Sequence, residues 1–408
     1  MSESGIGTKY RNFSPDRHEA ASVFIGNLPH EAAEAASEVA ESFYSKAKKP
    51  VKTAILIPVA AHQDGKLIIP ALAQYAKQEP PDPFTIFMHL NSPDGADTSK
   101  VKAAIANVRK AQGLFPQLDI RYSTQTYLDP KIGRIRRDLW NGALMLMHHE
   151  GQLPNDVLGF NHDIDTVKIG PNYIAYVQEY YKERDAARRK AFGNDVADRV
   201  VQRGLATRVT HAVLPTHPNV GKVTTWIDYS YYQAAIGYEA GLVLPFSHYV
   251  DCGGFNSEDS THETAVFYSE DSPIYLPKAG LYTSPRRYID RLANGKNTDE
   301  VWTDESFGSS DECRDRLPRD ITIEQASQLL EKRLMDDIRY HWSISSRMRF
   351  SDESFSLLLL SDSISEKEFI KHATMGAREQ KRLAEKFMRR VVGIGRLADI
   401  IASYDETK

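Results

Sequence analysis

The chain has 408 residues, of which 41% are hydrophobic, 26% charged and 10% aromatic, with a formal net charge of −4. That composition is globular and excludes a disordered, collagen-like or low-complexity protein, and the slight acidity argues against a nucleic-acid partner. Two cysteines, Cys252 and Cys313, provide neither a disulfide framework nor a zinc-ligand spacing.

The first residues lack a basic region followed by an apolar run, so no secretory leader is expected. No apolar run approaches the roughly 18 residues of a membrane helix, and the expected location is cytoplasmic. Residues 1–50 read as an N-terminal helical extension, with an Ala/Glu/Ser-rich surface helix over 31–49 closed by lysines and Pro50. Residues 53–60 then form a β-branched, continuously apolar run, the pattern of a strand buried on both faces. A polar turn over 62–65 leads to a helix over 66–78, stopped by Pro80, Pro81 and Pro83. A second strand spans 84–90 and ends in a turn starting at Asn91 and containing Asp94. A helix over 97–112, a strand over 118–122, a helix over 132–150 and a strand over 156–160 follow. This alternation is the spacing of βαβ crossovers and predicts a mostly parallel α/β sheet. Beyond it, a charged helix over 172–192 precedes strand-like pieces over 208–213 and 221–227 and a small-residue helix over 231–240. From about residue 320 the pattern is helical, with amphipathic stripes over 323–338 and 366–404, so three parts are expected: 1–50, 51–319 and 320–408.

The sharpest chemical feature is Asp163-Ile164-Asp165, just past the fourth strand. On extended backbone, carboxylates at i and i+2 share a face and reach one hard cation, Mg²⁺ or Mn²⁺, whose other positions go to phosphates and water. An ordinary turn or cap is the bland alternative. Gly253-Gly254 permits close backbone approach or positive φ, and His262-Glu263 opens an apolar stretch; a simple turn and a capping carboxylate compete with that reading. Arg286 and Arg287, beside Thr283 and Ser284, suit a diphosphate as well as a solvated turn. Trp226 and Asp228 lie in an aromatic cluster fit to stack on a sugar or to fill a core. Histidines form no HExxH array, and GxSxG, GxxxxGK[ST] and GxGxxG are absent.

Taken in order, these pieces resemble the GT-A fold glycosyltransferases, specifically the family-two group of inverting enzymes, over roughly residues 51–292. The segment from Ile57 through Pro58 and Ala60 to Asp64 is similar to the loop that seats the nucleotide base. The turn with Asn91 and Asp94 resembles the family's acidic turn after the second strand. Arg136, three residues after Gly133, stands at the arginine position of a helix start similar to the family's glycine–arginine motif, and Asp163 and Asp165 fall where the metal-binding triplet belongs. Gly253, Gly254 and the His262-Glu263 pair resemble the Gly-Gly-Phe and Glu-Asp elements, and Thr283 to Arg287 resembles a Thr-Ser-x-Arg-Arg motif.

The resemblance implies a Rossmann-like, mostly parallel sheet flanked by helices, and a metal-dependent transfer of a sugar from a nucleotide-diphosphate sugar to a hydroxyl acceptor with inversion. It places the donor at Pro58, Ala60, Asp64, Asn91, Asp94, Arg136, Asp163, Arg286 and Arg287, and the cation on Asp163 and Asp165. The substrate side falls to Trp226, Asp228, Gly253, Gly254 and His262. Glu263 is expected to be the base, with Asp259 and Glu258 as alternatives. The acceptor class (glycan, lipid or small molecule) stays open, as does a homo-oligomer. A nucleotidyltransferase and a non-catalytic sugar- or nucleotide-sugar-binding protein are the rival readings.

Overall fold

The computed structural model describes residues 17–44, 50–152, 157–193, 204–211, 241–257 and 274–283. Two compact units divide the chain, residues 1–207 with 239–281 and residues 208–238 with 282–408. The second contributes only two strand ends to the described residues.

The first unit is built around Thr53–Ala60 (β1), whose Ala54, Ile55, Leu56, Ile57 and Val59 are wholly buried. Continuous burial of this kind belongs to the interior of a parallel sheet covered on both faces. Phe84–Pro93 (β2) pairs with β1 in parallel on one side, running from Phe84 opposite Thr53 to Asn91 opposite Ala60. Asp119–Tyr127 (β3) continues the parallel set beyond β2. On the other side of β1, Leu158–Asn161 (β4) is also parallel and ends with Asn161 opposite Leu56. Leu242–Pro245 (β7) then runs antiparallel to β4, and Leu205–His211 (β6) antiparallel to β7. With Thr166–Ile169 (β5) and Ile274–Thr283 (β8), eight strands form one sheet in the order β3-β2-β1-β4-β7-β6-β8-β5.

Helices Arg17–Gly26 (α1), His30–Phe43 (α2), Ile132–His149 (α6) and Phe246–Asp251 (α8) share one apolar core with the sheet. Trp140 is its centre: fully buried, it stacks on Tyr249 and contacts Phe246 and Phe255. Thr98–Leu114 (α5), capped by the Asp97 carboxylate on the Ser99 N–H, packs with Ala61–Asp64 (α3) and Ile68–Tyr75 (α4). Tyr173–Phe192 (α7) is tied to the start of β1 by Gln178, which donates to Thr53 Oγ1 at 2.8 Å.

The alternating strands and helices expected over 53–165 are present, with several differences of physical interest. The surface helix expected over 31–49 is α2, and its Ala36, Val39 and Phe43 are buried against α6 and the sheet. Its alanines look polar-tolerant in sequence, yet small side chains are what let two helices approach closely. No polar turn follows β1. The chain enters α3 directly and continues through a 3₁₀ turn at Gly65–Leu67 into α4, with Gly65 lying hard against Ala104 of α5. Strands β2 and β3 each run farther than their apolar patterns indicate. Their polar ends are paired with each other: Ser92 Oγ lies 3.5 Å from Thr126 Oγ1, and His89 contacts Ser123 and Tyr127. The elements α1, β5, β7, α8 and β8 carry no periodicity strong enough to be read in sequence. The pieces expected at 221–227, 231–240, 323–338 and 366–404 lie outside the described residues.

Candidate functional site

The connections leaving β1 and β4 determine where a ligand fits. β1 feeds a helix that returns to β2 on one side, while β4 lies on its other side, so the strand order reverses between β1 and β4. In open parallel sheets, the carboxyl ends of strands at such a reversal border the ligand crevice. Pro58 and Ala60 of β1, Asn91 of β2 and the Asp163 segment after β4 all lie at that edge.

The acidic segment is a turn. Asp163 is two residues beyond the end of β4, and its carbonyl accepts from the Thr166 N–H at 3.3 Å and from Thr166 Oγ1 at 2.8 Å. The extended backbone expected for 163–165 is therefore corrected: the chain reverses here to enter β5, Ile164 is buried, and strand alternation no longer decides where the two carboxylates point. Asp165 is 7% exposed. Asp163 is held from α6, where Arg136 Nη2 donates to its Oδ1 at 2.6 Å. The arginine side chain is 3% exposed and the aspartate 27% exposed. A guanidinium this deep requires its carboxylate, because removing one partner of a buried pair leaves an uncompensated charge, worth about 3–5 kcal/mol. The other arginines of the same turns diverge. Arg134 reaches Glu31 of α2 and lies over the Tyr127 ring, and Arg137 bonds Asp138.

His162, just before the turn, is fully buried between Tyr75 and Tyr173, and burial pulls its pKa down to about 3 against the opposing charge of Asp163. Sequence reasoning passed over it; the only signal was its place directly before the two aspartates. Burial likewise raises the Tyr75 hydroxyl well above its usual value.

Pro58 is buried in β1 opposite His89, and Ala60 ends that strand opposite Asn91, so the strand expected over 53–60 is present and includes the start of the segment likened to the base-seating loop. Asp64 is buried in the helical turn that follows. Beside it His62 is half-buried; burial lowers its pKa, Asp64 opposes the shift and Lys100 adds to it. Asn91 is buried within β2, 3.4 Å from the His89 carbonyl. Asp94 is exposed, and its carboxylate accepts from the Gly95 N–H.

Gly253 and Gly254 end α8. Both have φ of +81°, Gly253 N–H bonds the Val250 carbonyl and Gly254 N–H bonds the Tyr249 carbonyl. That pair of bonds is a Schellman helix stop, the role of a turn. Trp226, Asp228, Glu258, Asp259, His262, Glu263, Arg286 and Arg287 lie outside the described residues.

Among the described residues no three or more His, Cys, Asp or Glu side chains converge where they could hold a metal. Two carboxylates are therefore the most this part of the chain offers at the turn. That fits the mode in which Mg²⁺ or Mn²⁺ is held by one or two carboxylates together with substrate phosphates. No helix among the described residues is long and apolar enough to cross a membrane.

No protein-family model and no curated protein matches the chain. Among solved structures it is similar to the mannosyltransferase PcManGT from Pyrobaculum calidifontis in complex with GDP-Man and Mn²⁺, at 12% identity and a TM-score of 0.36, over 94% of this chain and 99% of that one. It is also similar to S. aureus TarS 1-349, at 13% identity and a TM-score of 0.35, over 88% of this chain and 92% of that one. Full S. aureus TarS matches at 13% identity and a TM-score of 0.34, over 84% of this chain and 55% of that one.

Proposed function

We propose that the chain is a GT-A type glycosyltransferase that moves a sugar from a nucleotide-diphosphate donor to a hydroxyl acceptor with inversion. The observation that carries this reading is the acidic turn Asp163-Ile164-Asp165 at the β1/β4 strand reversal, with Asp163 oriented by a buried arginine. A divalent cation, Mn²⁺ or Mg²⁺, held by Asp163 and Asp165 would supply positive charge at the diphosphate as the leaving group develops negative charge. Pro58, Ala60, Asp64, Asn91 and Asp94 border the donor at the same sheet edge. Arg136, whose guanidinium is bonded to the Asp163 carboxylate, adds positive charge at the diphosphate. Arg286 or Arg287 adds to that charge, and the sugar falls to Trp226 and Asp228 and the acceptor side to Gly253, Gly254 and His262. Glu263 takes the proton from the acceptor hydroxyl as that oxygen attacks the anomeric carbon from the far face. Donor chemistry belongs to residues 51–319, with 1–50 and 320–408 as extensions, and the reaction is placed in the cytoplasm.

The test is incubation of the purified chain with Mn²⁺ and a panel of nucleotide-diphosphate sugars, following nucleoside diphosphate release and sugar transfer. Transfer or slow donor hydrolysis, lost in Asp165→Ala and in EDTA, is the expected result. Glu263→Gln should lower kcat by roughly 10²–10⁴ with donor binding nearly unchanged. Pyrophosphate release from a nucleoside triphosphate and a sugar phosphate would identify a nucleotidyltransferase instead. Donor binding without turnover would identify a binding protein.

A further inference from the structure

The proposed chemistry gives His162 no role, yet both of its ring nitrogens are bonded. Tyr75 Oη lies 2.6 Å from its Nδ1 and Tyr173 Oη 3.1 Å from its Nε2. Tyr173 Oη is in turn 2.9 Å from Thr207 Oγ1, which donates to the Gly241 carbonyl at 2.9 Å.

Counting hydrogens gives the chain a direction. A carbonyl only accepts, so the single hydroxyl hydrogen of Thr207 goes to Gly241. Tyr173 must then donate to Thr207, and its oxygen accepts from Nε2–H. In the neutral ring Nδ1 is left bare and accepts from the Tyr75 hydroxyl. One tautomer satisfies every group, and every hydrogen bond runs the same way. Removing any member leaves its neighbour with an unmet bond in a dry interior.

These groups come from the end of α4, the end of β4, the start of α7, the middle of β6 and the residue before β7. The imidazole also stacks on the Tyr75 ring and packs against Phe160 and Tyr173. Its backbone N–H continues the β1 pairing by donating to the Leu56 carbonyl at 3.1 Å. Immediately after it the chain turns, with Asp163 fastened to Arg136 and Thr166 closing the turn. A phenylalanine or leucine would fill the same volume without requiring polar partners. A fully satisfied polar chain defines one orientation, which an apolar side chain does not.

We propose that His162 is a positioning residue: the Tyr75–His162–Tyr173–Thr207 chain fixes the end of β4 so that Asp163 and Asp165 are presented as ligands without rearrangement. This inference rests on the metal reading above. The supports behind metal ligands act in this way, and their loss typically weakens metal binding by about 10–100-fold.

The experiment titrates Mn²⁺ alone into the full chain, following free Mn²⁺ by its electron paramagnetic resonance signal, and measures amide hydrogen exchange in the peptide covering residues 158–166. Tyr75→Phe removes one oxygen, His162→Phe removes both bonds, and His162→Gln retains one donor and one acceptor. Leu144→Ala opens a cavity in the apolar core and leaves the polar chain intact, so it reports on stability alone. Tyr75→Phe and His162→Phe should weaken Mn²⁺ binding by about 10-fold and speed exchange around the turn, with His162→Gln recovering most of the affinity. Leu144→Ala should lower the thermal midpoint and change neither readout. If His162→Phe does not fold, Tyr75→Phe decides the question. Wild-type Mn²⁺ binding that is lost in Asp165→Ala but unchanged in Tyr75→Phe and His162→Phe overturns the positioning role and leaves the metal reading in place. A matching loss of affinity in Leu144→Ala also overturns it, as a pure stability effect. No Mn²⁺ binding by the wild type overturns the metal reading and this inference with it.

Discussion

His89 is wholly buried where β2 meets β3, 2.8 Å from Ser123 Oγ and 2.7 Å from Tyr127 Oη. Tyr127 directs its hydrogen toward Gln125 Oε1 at 2.9 Å and Asp138 Oδ2 at 3.2 Å, so His89 Nε2–H donates to Tyr127 and Nδ1 accepts from Ser123. Burial holds the pKa of the ring down at about 4. An unfolded histidine takes its proton near pH 6.5, so between there and about 4 the unfolded chain binds the extra proton and stability falls as the pH is lowered. Below about 4 both states are protonated and the loss is complete. His89→Gln removes this linkage. Between pH 5 and 6 its unfolding free energy should change less steeply than that of the wild type, by about 1 kcal/mol per pH unit in urea titrations. Equal slopes would mean that folded His89 is already protonated. Gly253 and Gly254 separate two effects in the same way. Alanine at either meets the left-handed backbone, costing about 1–2 kcal/mol. At Gly254 the new Cβ would also lie 3.0 Å from the Tyr249 oxygen, whereas at Gly253 it meets nothing within 4 Å. Gly254→Ala should therefore be the more destabilising of the two in chemical denaturation.

At the scale of elements, α2 and α6 meet in a close joint. A Cβ at Gly142 would overlap the Val39 side chain and lie 3.2 Å from the Ala36 carbonyl. Alanine improves helix propensity by about 1 kcal/mol over glycine, but overpacking a filled core costs about 1–3 kcal/mol, so Gly142→Ala should destabilise. Val39→Ala makes room for it. The double variant should show a favourable coupling of about 0.5–3 kcal/mol in a double-mutant cycle. Additive effects would mean the helices separate freely instead of interlocking. Gly159 of β4 meets a similar limit, since a Cβ there would run into the Trp140 ring. The strand that delivers the acidic turn is thus seated directly on the buried Trp140 ring.

At the scale of the molecule, the proposed cation and donor contacts of β1, β2, β4 and α6 all belong to the first compact unit, so a ligand bound there should stabilise that unit. A donor bound only to the native chain adds about 2.7 kcal/mol at a hundred times its Kd. In thermal-shift assays, Mn²⁺ with the correct nucleotide-diphosphate sugar should raise the midpoint of the wild type. Asp165→Ala should lose the rise, measured against its own unliganded midpoint. A rise retained in Asp165→Ala would locate the donor away from the β4 turn.

The sequence by itself determined the α/β alternation, the buried character of β1 and the position of the acidic residues after β4, because each is written in local composition and period. It also placed Arg136 near the start of α6. Burial, distance and pairing were decided by the tertiary structure alone. Periodicity treats polar residues as surface, so Ser92, Ser123 and Thr126 shortened the expected strands until cross-strand partners satisfied them. It treats alanine-rich α2 as an exposed helix until α6 packs on it. Asp163 finds Arg136 at a separation of 27 positions, and His162 finds Tyr75 at 87. No local pattern encodes such pairs, since they exist only once the sheet order has brought four segments to the end of one strand.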